Sequence, residues 1–416
     1  MRLAILGQAL GTHLYLFIST SAVGPLFILK LGGSDLQAML PASTAALMAL
    51  LRIPLSVLVN SGHGKRFMVA CWNLVALPAS LALLTALWLG PGPLTVKIVL
   101  ISFFLCQALE HAGSTFWFPL LHDIVPATRR GRFFGNLRSG WQLAYFGASV
   151  MAGIFLGLDP ALWNFIVVFA VVGSLQIARQ FFVGRLPVRP RVGAPVNSWR
   201  DDLAYILGNR QLLFLCGYLM LLVSLAGFMS QPLVLYMNHL GFSTRDNTLI
   251  YTSQVVGSVL VLVLAGRAID RLGVRQVFFA VHVLLSGLAI LTALVGSLPA
   301  AAAKPCLIVI LIGAGAGLAA AGLAGTAQLF HLTPSSERVL IMNLMALSAT
   351  GTAVPPLLTG LVLNSAWSAW SVNLGPLTFG IYQALFLAAG LGLLLAMSLL
   401  PFIKNVRVLP QATEVL

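Results

Sequence analysis

The apolar residues of this chain are not spaced to give one buried face. They come in runs that are apolar all round, separated by short stretches rich in Gly, Pro, Lys and Arg. A bilayer core about 30 Å thick needs roughly 20 such residues per helix. Runs of that length lie near residues 4–30, 36–59, 67–89, 95–121, 133–157, 161–183, 211–237, 247–265, 276–297, 304–330, 336–363 and 377–402. None alternates in polarity as a barrel strand would. The pattern predicts an all-α polytopic membrane protein with twelve transmembrane helices.

Composition agrees. Of 416 residues, 59% are hydrophobic and 8% charged, beyond the apolar share of a soluble domain. A formal net charge of +14 would suit nucleic acid, but the charges sit in short loops and make no continuous basic face, which argues against that partner. Cys71, Cys106, Cys216 and Cys306 fall within or at the edge of apolar runs and read as small buried hydrophobes. The first run is too long for a cleavable signal peptide and lacks a convincing small-residue cleavage site.

Charge also sets the expected orientation. Most Lys and Arg fall in one set of loops, including Lys65, Arg66, Arg129, Arg130, Arg132, Arg185, Arg210, Arg267, Arg338 and Lys404. Lys30, Lys97, Arg245 and Lys304 fall on the other side. The positive-inside rule then places both termini in the cytoplasm, with the chain in a plasma or inner membrane.

The chain repeats itself at an offset of about 208 to 209 residues. Gly64 and Arg66 of GHGKR recur as Gly273 and Arg275 of RLGVR. His122, Pro126 and Arg130 recur as His331, Pro334 and Arg338, and Pro25 before Gly33 recurs as Pro232 before Gly241. Six runs per copy let both copies share one orientation, the parallel-repeat arrangement. The expected organisation is an N-terminal six-helix bundle at 1–183, a cytoplasmic linker at 184–209 and a C-terminal bundle at 210–416. Within the linker, Ser198 with Asp201 resembles an N-cap and Gly208 a stop, giving a short amphipathic surface helix.

The densest cluster of charge is GRAIDRLGVR, residues 266 to 275, between the eighth and ninth runs. Its Gly266, Asp270, Arg271, Gly273 and Arg275 match the Gly-x-x-x-Asp-Arg-x-Gly-x-Arg loop signature of the major facilitator superfamily. With two six-helix copies, the whole chain resembles that superfamily. The physical reasons are separable from the resemblance. A short turn between helices needs a glycine able to take positive φ, and the arginines hold the loop at the surface. Asp270 could face the dipole of the helix starting at Thr333-Pro334, near Arg338. The resemblance implies that such an aspartate latches one cavity orientation; the plainer alternative is a topology anchor. The first copy departs from the signature, with Ser61 and Gly62 in place of the aspartate and arginine, so any latch is one-sided.

An ionisable side chain inside a bilayer costs several kcal/mol and needs a reason. Glu110 is the acid placed deep within a run. It belongs to a stripe of Gln107, Glu110, Ser114 and Trp117 on one helical face. The first run carries Gln8, Thr12, Tyr15 and Ser19, and the seventh Ser224, Phe228 and Gln231, while the tenth, IGAGAGLAAAGLAG, is nearly all Gly and Ala. The resemblance implies that the first, fourth, seventh and tenth helices line a central cavity. Thr12, Tyr15, Ser19, Gln107, Glu110, Ser114, Trp117, Ser224, Phe228 and Gln231 are therefore the expected substrate-binding residues, with the chemistry concentrated in the first half. The tenth helix would allow close packing and rocking.

Burial favours the protonated form of a carboxyl, so Glu110 could couple transport to protons. It could instead form a structural ion pair with Arg138 or Arg52, or touch substrate. Arg52 could meet an anionic substrate or snorkel to the interface. His13 and His282 read as locally satisfied, and Pro355 with Pro356 should kink the eleventh helix. No phosphate loop, metal-ligand spacing or catalytic constellation is visible, so no cofactor and no enzymatic activity are expected. The resulting expectation is a monomeric, proton-coupled secondary active transporter of a small solute, by symport or antiport and alternating access, with Glu110 as the coupling residue. The rivals are an uncoupled facilitative carrier, a lipid or amphiphile transporter and, least favoured, a receptor or scaffold.

Overall fold

The computed structural model describes residues 1–56, 58, 63–126, 130–187, 199–333, 338–374 and 377–405. Among these, ten helical stretches are long and apolar enough to cross a membrane. An eleventh is the bent pair Arg2–Ser19 and Val23–Lys30, turned by 50° at its break. The remaining expected span is the helix Arg130–Leu156. The chain is an integral, multi-pass, all-α membrane protein in two pseudo-symmetric six-helix bundles.

The repeat extends to backbone detail. Gly32 (φ +86°) and Gly241 (φ +78°) both close the helix before them, a conformation that suits glycine. Ser34 then caps Asp35–Met48 by accepting from the Gln37 amide, and Ser243 caps Thr244–Leu272 by accepting from the Asp246 amide. The Gln37 side chain returns to the Ser34 amide at 2.9 Å, completing a capping box. The first and seventh spans break at matching places, after Ser19 and after Ser230.

The bundles meet along two seams, the second span against the eleventh and the fifth against the eighth. At the membrane face opposite the GRAIDRLGVR loop the fifth–eighth seam is closed by backbone. The Arg245 amide donates to the Gly157 carbonyl at 2.8 Å and the Thr244 amide to the Leu158 carbonyl at 3.2 Å. On the same face Leu36 lies so close to Gly360 that a Cβ there would sit 2.8 Å from the Leu36 Cα.

The glycines of the tenth span, Ala300–Leu332, do their work inside the second bundle. A Cβ at Gly315 would strike the Gln254 carbonyl of the eighth span, and one at Gly257 would strike the Ile312 carbonyl of the tenth. Ser258 donates to the Gly315 carbonyl at 3.1 Å across the same contact. Small residues thus bring two backbones together, as in packed membrane helices generally. The eleventh span is irregular as its proline pair predicts. Arg338–Ala349 and Val354–Leu363 flank a 3₁₀ turn at Thr350–Ala353. The seventh span fits into that irregularity, with Gly227 beneath Pro355 and Gly351 against the Met220 carbonyl.

Two features differ from the sequence reading. Residues 377–380 begin no helix. They form β2 (Leu377–Gly380), paired antiparallel with β1 (Ser371–Leu374) in the register Ser371↔Gly380, and the twelfth span starts at Ile381. Alternating Val372, Leu374, Leu377 and Phe379 around a Gly-Pro pair is a hairpin signal, hidden there by the apolar run that follows. The linker helix runs Trp199–Gly208 and stops at the expected glycine; its expected cap, Ser198, lies outside the described residues.

The signature loop is built as its glycine requires. Gly273 has φ +96°. Asn405, just past the last span, clasps the turn by accepting from the Arg275 amide at 3.2 Å and donating to the Leu272 carbonyl at 3.4 Å. Gly266 sits 4.0 Å from Leu323 of the tenth span when given a Cβ. Asp270 and Arg271 are exposed, and neither forms an ion pair among the described residues. The proposed partners of Asp270, the helix start after Thr333 and the Arg338 side chain, lie outside what is described.

Candidate functional site

Glu110 is 8% exposed, in the last turns of the helix Pro93–Ser114. Its ion-pair partner is Arg179 of the sixth span, with Nη1 3.0 Å from Oε1 and 3.3 Å from Oε2. Gln176, one turn earlier on that span, donates to Oε2 at 2.9 Å, and Ser114 donates to Oε1 at 3.3 Å. Both carboxylate oxygens are thereby engaged.

Arg179 itself is 1% exposed. Its guanidinium carbon sits 3.2 Å from the centroid of the Trp72 ring, a cation–π contact, and 5.9 Å from that of Trp117. Its Nη1 also donates to the Gly11 carbonyl at 3.4 Å. The arginine reaches the acid by lying across Gly11, where a Cβ would collide with its Cδ. Trp72 is held in turn by its indole N–H, which donates to the Glu110 carbonyl at 3.3 Å, and by Gly113 beneath the ring. The first, third, fourth and sixth spans are tied around one buried ion pair.

This corrects the expected pairing. Arg138 is exposed, and Arg52 makes no salt bridge with Glu110. Depth along the helix had nominated both, but the carboxylate turns into its own bundle, toward the sixth span. Arg179, Gln176, Trp72 and Gly11 are the participants that the sequence reading missed. Two signals pointed to them: the Gly7-xxx-Gly11 spacing of the first span and the shared face of Gln176 and Arg179.

The other expected cavity residues divide. Glu110 and Tyr15 line one small cavity of about 10 Å³ with Leu14, Val75, Cys106 and Gln176, close to the lower limit for a single water. Trp117 is buried against Trp72 at a centroid distance of 5.6 Å. Gln107 faces the second span, accepting from Thr44 Oγ1 and donating to the Pro41 carbonyl, each at 2.7 Å. It satisfies a carbonyl beside an in-helix proline. Thr12 and Ser19 donate to carbonyls of their own helix, Gln8 and Tyr15. Ser224 donates to the Gly351 carbonyl at 2.7 Å, within the second bundle. Phe228 is part-buried against the main core, and Gln231 lies at the break of the seventh span. Of these stripes Tyr15 and Glu110 share a cavity, while Thr12, Ser19, Gln107 and Ser224 bond within their own helix or to a neighbouring one. Much of their polarity serves helix packing.

A second group of polar side chains has no such partners. His111 is buried and stands edge-on to Tyr15, ring centroids 5.2 Å apart. Neither of its ring nitrogens forms a hydrogen bond of ordinary geometry, although the Ala45 carbonyl is near. Arg52 is part-buried and close enough to Tyr15, His111 and Glu110 to interact with them electrostatically. Its Nε is sealed from solvent without a partner. Arg52 sits on the stretch Ala49–Leu55, which packs against Arg338–Ala349 of the other bundle. His13 and His282 are buried; His282 Nδ1 lies 2.8 Å from the Phe278 carbonyl, but His13 Nδ1 and His282 Nε2 form no hydrogen bond of ordinary geometry among the described residues, so local satisfaction holds only for one nitrogen of His282.

No protein-family profile and no curated protein sequence matches the chain. Solved structures do. The nucleoside transporter NupG superposes with TM-score 0.63 at 15% identity, over 97% of this chain and 98% of that one. A D-xylose–proton symporter gives 0.69 at 15%, over 97% of each. The xylose transporter XylE from E. coli, in an inward-open conformation, gives 0.71 at 12%, over 98% and 96%. These likenesses establish that the chain has the major facilitator fold.

Proposed function

We propose that the protein is a secondary transporter that moves a small solute through the membrane by alternating access between its two bundles. The single observation that carries this reading is the group Tyr15, Arg52 and His111. Polar side chains inside a bilayer are costly unless they pair or serve a ligand. Of the three, Arg52 lies on the stretch that meets the opposite bundle, and among the described residues Arg52 Nε and both His111 ring nitrogens lack hydrogen-bond partners. The fold supports the same reading, since the similar structures are described as transporters of nucleosides and sugars. In this reading the bundles are 1–183 and 210–416, the linker 184–209 is cytoplasmic, and both termini face the cytoplasm of a cell or inner membrane.

Glu110 serves as a structural ion, held by Arg179, Gln176 and Ser114, and the preferred form is a carrier in which it takes no proton. Proton coupling is the second reading, favoured by the water-sized cavity that touches Glu110 and Tyr15. Proteoliposomes under an imposed pH gradient separate the two. The preferred reading predicts equilibration of a transported solute without accumulation. Accumulation that follows the gradient, and disappears in Glu110→Gln, would establish the second.

A further inference from the structure

We infer that the group around Arg52 is a binding site for a small organic monoanion, a carboxylate, and that this is the chemical class of the transported solute. The inference rests on the transport reading above and adds the substrate class.

Charge is the first argument. Glu110 is the acid within electrostatic reach of Arg52, but its two oxygens are engaged by Arg179, Gln176 and Ser114. Glu110 and Arg179 cancel, so among the described residues part-buried Arg52 leaves one positive charge uncompensated. Such a charge is tolerated where it pairs or faces a ligand path. A monoanion restores neutrality there, whereas a dianion would exchange one uncompensated charge for another of opposite sign.

Hydrogen-bond chemistry is the second argument. A guanidinium has donors alone, and a tyrosine hydroxyl and a neutral imidazole each offer one N–H or O–H. Among the described residues Arg52 Nε and the His111 nitrogens form no hydrogen bond of ordinary geometry. A group rich in donors and poor in acceptors fits a carboxylate, which accepts at both oxygens and matches the guanidinium fork. The Tyr15 ring, edge-on to His111, adds a flat wall against which the body of the molecule can lie.

Position is the third argument. The Ala49–Leu55 stretch bearing Arg52 packs against Arg338–Ala349 of the opposite bundle. An anion on Arg52 therefore lies beside a surface that moves when the bundles rock, and its presence would bias that motion.

The test uses the purified full-length protein and matched acid–amide pairs: benzoate and benzamide, nicotinate and nicotinamide, lactate and lactamide. Binding is followed by thermal shift and titration calorimetry, with inorganic phosphate as a further probe. At least one carboxylate should raise the Tm while its amide does not. Arg52→Gln should weaken that carboxylate about tenfold or more, Arg52→Lys less, and Arg138→Gln not at all. Without ligand, Arg52→Gln should melt at or above the wild-type temperature, because it removes an unpaired charge; this shows that a loss of binding is not a loss of fold. The inference is overturned if amides bind as tightly as acids, if Arg52→Gln binds unchanged, if phosphate binds and no carboxylate does, or if no probe binds. The transport reading fails separately. A carboxylate that binds through Arg52 but does not cross proteoliposomes leaves the site standing and removes the transporter. A neutral solute carried equally well by Arg52→Gln does the reverse.

Discussion

The two bundles share a backbone plan and differ in what they bury. The first is organised around charge, with Glu110 and Arg179 locked together beneath Trp72. In the second, the position 209 residues after Glu110 is Ala319, and the twelfth span, Ile381–Phe402, contains no charged residue. Its cohesion comes from close backbone approach, through Gly257 and Gly315 between the eighth and tenth spans. The two halves agree where the plan sets helix ends and differ where it fills helix interiors. A bundle held by a buried ion pair is sensitive to single side-chain losses, and one held by glycine contacts is sensitive to single methyl additions.

That difference can be broken most forcefully at the ion pair. Removing one partner leaves a buried charge uncompensated, so Arg179→Ala or Glu110→Ala should cost about 3–5 kcal/mol of stability. The double variant Glu110→Gln, Arg179→Gln should recover a large part of that, measured by unfolding in mixed micelles. Equal losses in single and double variants would show that the pair is not the organising contact.

Added methyl groups probe the other bundle. At Gly257 or Gly315 a Cβ meets a backbone carbonyl, which cannot rotate away, so alanine at either should cost about 1–3 kcal/mol. Gly322 of the same span has nothing within 4 Å of its built Cβ. Gly322→Ala should be neutral or stabilising by up to about 1 kcal/mol, from helix propensity. A cost at Gly322 matching that at Gly315 would mean that glycine content, rather than backbone approach, governs this helix.

The smallest effects should be equal in the two halves. Ser34→Ala and Ser243→Ala each remove one cap and should each cost about 1 kcal/mol. A marked inequality would separate the halves even at the level of the shared plan.

The shared plan was the legible part of the chain. Run length gave the spans, and the recurrence of Gly64–Arg66 as Gly273–Arg275 gave the repeat. The positive-φ turn at Gly273 and the break before Pro355 followed from local chemistry that needs no tertiary context. Candidate chemistry was harder to read. A helical stripe says that side chains share a face but not which neighbour the face meets. Gln107 and Glu110 sit on one such face, yet one meets the second span and the other the sixth. The pairing of Arg179 with Glu110 is not legible in the sequence, because long-range pairing in a bundle depends on rotation of both helices, which no local spacing records. Arg52 was open to an anionic ligand in the sequence. The structure adds that Glu110 is already occupied by another arginine.

The most direct test of alternating access is a pair of distance measurements by electron resonance on the protein in nanodiscs, with native cysteines replaced. One pair of spin labels goes at Leu158 and Arg245, which flank the backbone closure between the fifth and eighth spans. The other goes at Arg66 and Arg275, repeat-related residues exposed on the opposite face. The account predicts two populations for each pair, with conditions that lengthen the first shortening the second. A single unchanging distance at both faces, or two faces that open together, would contradict it.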